Sequence, residues 1–68
     1  MITIRATSPG IWSVYQSRGL HTNVKVGRII RNPLDTDFAA FHDKKGRVHS
    51  LPLTTASWAN KIRRLLGE

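Results

Sequence analysis

The octapeptide HDKKGRVH, residues 42 to 49, holds residue types from which a metal or proton-transfer site is made: two imidazoles and a carboxylate. Such groups act together only if the backbone brings them to one point, so the local fold decides their chemistry. Asp43-Lys44-Lys45-Gly46 lies between FAAFH and RVHSL and has the composition of a type I turn followed by glycine in the left-handed region, the three-residue hairpin with a G1 bulge. In that register Asp43 faces Arg47, His42 faces Val48 and Phe41 faces His49, so the two histidines point to opposite faces of the sheet. A two-residue loop centred on Lys44 and Lys45 would instead make His42 and His49 diagonal neighbours on one face. The position of Gly46 favours the first arrangement, and neither supplies a third ligand with suitable spacing. The expectation is a pair of strand histidines and no metal.

Other catalytic readings are weaker still. Asp35 and Asp37 form a carboxylate pair, but they sit in NPLDTD, where aspartate is a routine turn former and no second group is fixed against them. Serine and histidine occur without a nucleophile elbow or triad pattern. VGRIIRNP has too few glycines, at the wrong spacing, for a phosphate loop. We therefore expect no enzyme, no catalytic residues and no cofactor.

The elements that position these residues follow from turn signals and periodicity. SPG at 8–10 separates a brief strand around Ile2 to Arg5 from IWSVYQ, where Trp12 and Val14 alternate with Ser13 and Tyr15. SRGLHTN reads as a loop, and the β-branched VKVGRIIR as a strand. Pro33 breaks that strand, and a polar loop of four to six residues leads into FAAFHD, giving three consecutive antiparallel strands. In LTTASWANKIRRLLGE the period changes to 3.6: Trp58, Ala59, Ile62, Leu65 and Leu66 share an arc of about 120°. Thr54, Thr55 or Ser57 would cap this helix, with Pro52 just before it and Gly67 ending it. The fold expected is α+β, a small antiparallel sheet of three to five strands packed by one C-terminal amphipathic helix.

A chain of 68 residues that is 40% hydrophobic makes one small domain, residues 1–68, burying only ~60% of its unfolded surface. It has no cysteine, so disulfide frameworks and cysteine zinc sites are excluded. MITIRATSPG lacks the apolar run of a signal peptide, and no stretch approaches the ~20 apolar residues that cross a bilayer, which points to a soluble, cytoplasmic protein and no membrane partner. Eleven Lys and Arg against four acids give a formal net charge of +7 and a pI near 11.3. A polyanion is the natural partner: nucleic acid, with DNA favoured over RNA, or an acidic protein surface.

One helix leaves the second face of the sheet open. In VKVGRIIR, Val24, Val26 and Ile30 are expected inward, with Lys25 and Arg31 on the open face, Gly27 admitting a ligand or another backbone, and Arg28 at a bulge or edge. Lys44, Lys45 and Arg47 extend the strip at the hairpin tip, and Tyr15 adds an apolar contact for a base or sugar. Lys61, Arg63 and Arg64 are instead spread around the helix, as on an ordinary solvated face.

GIWxV, VGRI, FAAFHDKKGR and TASWA follow one another in an order that resembles the small β-β-β-α domains found as arm-binding domains of phage and transposon integrases and in plant ethylene-response-type DNA-binding domains. The resemblance covers roughly residues 10 to 66. It implies a three-stranded sheet, backed by a C-terminal helix, whose open face enters the DNA major groove, with Lys25, Arg28, Arg31 and Arg47 at the DNA-facing positions. The chain departs from that pattern in the long SRGLHTN and in the two acids of LDTD. Together, charge and resemblance give a nucleic-acid-binding module contacting double-stranded DNA through Lys25, Arg28, Arg31, Lys44, Lys45 and Arg47, a regulator or recombination accessory of a phage or mobile element. The alternative is a small interaction module or inhibitor whose basic surface covers an acidic site on a host protein.

Overall fold

The computed structural model describes residues 1–17, 19, 22–53 and 58–67. Five strands follow one another: β1 (Ile2–Ser8), β2 (Ile11–Ser17), β3 (Asn23–Ile30), β4 (Phe38–Asp43) and β5 (Val48–Pro52). They form a single antiparallel meander in the order β1-β2-β3-β4-β5, followed by helix α1 (Trp58–Leu65). This is the α+β sheet with one C-terminal helix that turn spacing and the change of period imply. Two expectations, the capping residues Thr54, Thr55 and Ser57 and part of the SRGLHTN loop, lie outside the described residues.

A flat five-stranded sheet is about 19 Å wide, whereas a helix is about 10 Å across. The helix nevertheless touches both edge strands, β1 and β5, so the sheet curls around it and its helix-free face is convex. Val14, Val26, Ile29, Ala39, Phe41, Leu51 and Ile62 form the core inside this curl. Trp58 closes it: its indole meets Trp12 edge to face at 5.1 Å and donates from Nε1 to the Pro52 carbonyl at 2.6 Å.

Within α1, Ile62 is fully buried, while Leu65 remains 42% exposed. Sequence spacing placed Leu65 in the core beside Trp58 and Ile62, and the structure corrects this. The side packed on the sheet centres on Ile62 and Leu66, which leaves Leu65 at its rim.

β3 also departs from simple alternation. Opposite it, Val14 pairs with Gly27 but the next residue, Tyr15, pairs with Lys25, so Val26 is the extra residue of a β-bulge. The bulge shifts the face parity along the strand. Val24 and Val26 face the helix as expected, but beyond them it is Gly27 and Ile29 that face inward, with Arg28 and Ile30 outward. The inward placement of Ile30 and the outward placement of Gly27 are thereby corrected. Gly27 makes room for the core and not for a ligand: a Cβ there would meet the His42 carbonyl and lie 2.6 Å from Phe41 Cε1.

Candidate nucleic-acid interface

The hairpin tip is built as its sequence requires. Gly46 N–H donates to the Asp43 carbonyl at 3.2 Å, closing the turn, and Gly46 then takes φ +80°, a left-handed conformation that costs glycine nothing. Phe41 pairs with His49 and His42 with Val48, so the two imidazoles lie on opposite faces. Among the described residues no three histidines or acids gather as a metal site would require.

Asp43 holds this tip together. Its Oδ1 accepts the backbone N–H groups of Lys45 and Arg47, both at 2.9 Å, and its Oδ2 lies 3.2 Å from His49 Nε2. Desolvation pushes the Asp43 carboxyl up, but the Arg47 N–H, the His49 side chain and the Lys45 N–H together outweigh it and hold the group below the ordinary carboxylate range. His49 also stacks on Phe41, with ring centroids 5.9 Å apart, which ties it to the core.

At the other end of β4, Asp35 does the same work for the connecting loop. Its Oδ1 accepts from the N–H groups of Asp37 and Phe38, which lower its pKa, while Asn32 Oδ1 accepts from Leu34. Here Asp35 of LDTD acts as a turn former.

Cross-strand pairing lays out the convex face in rows. One row runs Arg5, Ser13, Arg28, His42 and Val48 from β1 to β5. Beside it, towards the hairpin tip, run Thr3, Tyr15 and Lys25, and on its other side Ile11, Ile30, Ala40 and Ser50. Arg5 and Arg28 are two strands apart, about 10 Å at their backbones. Ser13, between them in the row, is only 5% exposed. Lys25, Arg28, His42 and Lys44 border one shallow concavity of about 400 Å³, with Asp43, Gly27 and Gly46 also on its wall. A second, of about 200 Å³, lies between Thr3, Arg5, Tyr15 and Asn23.

The six cations expected to form one strip therefore divide. Lys25, Arg28 and Lys44 share the convex face. Lys45 and Arg47, with Lys44 between the two groups, border a different concavity reaching the end of α1. Arg31 stands apart: one residue past β3, its N–H donates to the Gly10 carbonyl at 2.8 Å, and Ile29 and Ile30 separate it from Arg28. Arg28 itself is in the central strand, next to the bulge and far from the sheet edge. Arg5 belongs to the face and was missed, although the alternation in ITIR, with two isoleucines inward, puts Thr3 and Arg5 outward.

No family model matches this chain, and no curated protein or solved structure matches it either.

Proposed function

We propose that this domain binds nucleic acid, double-stranded DNA in the first place, through the convex face of its sheet. The observation that supports the reading is the Arg5–Ser13–Arg28–His42 row with Lys25 and Lys44 beside it. Among the described residues one acid, Asp43, borders the concavity of this face despite having the helix-side parity of Phe41, and there it stands against Lys25, Arg28 and Lys44; Asp35 and Asp37 lie in the loop beyond the strand's end. A convex, basic ridge suits a groove about 12 Å wide, where arginine can meet a guanine edge with two parallel hydrogen bonds. Lys25 and Lys44 are placed to neutralise phosphates at the flank. The domain then serves as a cytoplasmic regulator or recombination accessory, of the kind a phage or mobile element encodes.

The test is a salt titration of binding to a short duplex, followed by fluorescence anisotropy. Four cations on the face predict log K falling with log salt at a slope of about −4. An absence of binding at ~50 mM salt would overturn the proposal. It would favour the second reading, a module whose basic surface covers an acidic site on another protein.

A further inference from the structure

The two ends of β4 carry opposite chemistry. At one end the loop from Asn32 to Phe38 displays Leu34, 92% exposed, and Phe38, 46% exposed, with Asp35 and Asp37 between them. Hydrogen bonds hold this turn. Asp35 N–H donates to the Asn32 carbonyl at 3.0 Å, and the Asn32 and Asp35 side chains accept the N–H groups of Leu34, Asp37 and Phe38. A fully exposed leucine held in a preorganised turn gains nothing for the fold of its own chain.

At the opposite end, about 20 Å away along the strand, a concavity of about 230 Å³ opens between the hairpin tip and the end of α1. Val26, Leu65 and Leu66 give it apolar walls, and Lys44, Lys45 and Arg47 bring three cations to it. The acid at its edge, Asp43, offsets one of those three cations and leaves the groove net positive. The groove asks for an apolar side chain flanked by carboxylates. The loop segment Leu34-Asp35-Thr36-Asp37-Phe38 has that composition.

We infer that the Leu34–Phe38 loop of one copy docks into the Lys44/Lys45/Arg47 and Leu65/Leu66 groove of another. The docked elements differ, so the contact is heterologous and head to tail, and repeats from copy to copy unless a ring closes. Leu34 enters the apolar part while Asp35 and Asp37 meet the cations at the rim. The net charge of +7 opposes association, so the contact is weak in free solution. It strengthens wherever that charge is neutralised, as it would be along a polyanion. Docking does not depend on the DNA reading: it shares Lys44 with the convex face, while Leu34, Lys45 and Arg47, the residues that test it, lie outside that face.

Sedimentation equilibrium without nucleic acid tests it, at ~50 mM salt and protein from about 10 μM to about 1 mM, the range suited to a small, weak contact. The parent's average mass should rise above the monomer with concentration. Leu34→Ser loses the loop anchor and Lys45→Glu/Arg47→Glu reverses the groove, so each alone should stay monomeric. An equimolar mixture of the two should recover a mass approaching the dimer and no larger, because one keeps an intact groove and the other an intact loop. Circular dichroism of each variant establishes that it is folded. A parent that is monomeric throughout, or a mixture no heavier than its components, would overturn the inference. Association that survives both variants would overturn it too.

Discussion

Asp43 decides where the hairpin cations point, since one carboxylate gathers two backbone N–H groups and an imidazole. Its pKa is depressed in the fold, so it contributes stability that is fully present above its unfolded value of ~4 and is lost as pH falls through the lower folded value. Asp43→Ala should therefore lower the melting temperature clearly at pH 7, and the gap to the parent should narrow as pH falls below ~4. A gap that stayed constant across that range would show that the carboxylate charge is not what holds the tip. The tip was legible in the sequence because Asp and Gly at its two ends specify the turn almost alone. Gly27 was not, because the reason for it is Phe41, fourteen positions on, whose ring occupies the space a side chain would need.

At the scale of elements, the five strands and the helix could be read from alternation and turn residues, but the face carried by each half of β3 could not. VKVGRIIR has apolar residues at both parities, and only pairing with β2 shows that Val26 is bulged, turning Ile29 inward and Arg28 outward. In consequence the bulge puts Arg28 in the same row as Arg5. The helix was legible as an amphipathic segment, yet Leu65 fell outside the core, since wheel position cannot say on which residue the packed side will centre. Trp58 is its anchor, through contact with Trp12 and the hydrogen bond to Pro52 that ties α1 to β5. Trp58→Ala should cost about 3 kcal/mol, the low end for a half-buried tryptophan, and lower the melting temperature by more than ~10 °C. A cooperative melt close to the parent's would contradict this role.

For the molecule as a whole, the curl of the sheet around α1 separates the charge that composition only counts. A convex face gathers Arg5, Lys25, Arg28 and Lys44, the hairpin end keeps Lys45 and Arg47, and Lys61, Arg63 and Arg64 stand exposed on the helix. Net charge alone would make all of these equivalent; the proposed interface does not. The most direct test compares Arg5→Ala/Arg28→Ala with Lys61→Ala/Arg64→Ala, two variants with the same loss of charge, in duplex-DNA binding across a salt series. Circular dichroism and melting should first establish that both are folded, since the apolar stems of long cationic side chains can also stabilise a fold. The convex-face pair should lose affinity and reduce the magnitude of the salt slope by about two units, while the helix pair stays near the parent. Equal losses from the two variants would mean that DNA senses only net charge, and the convex face would no longer be the binding surface.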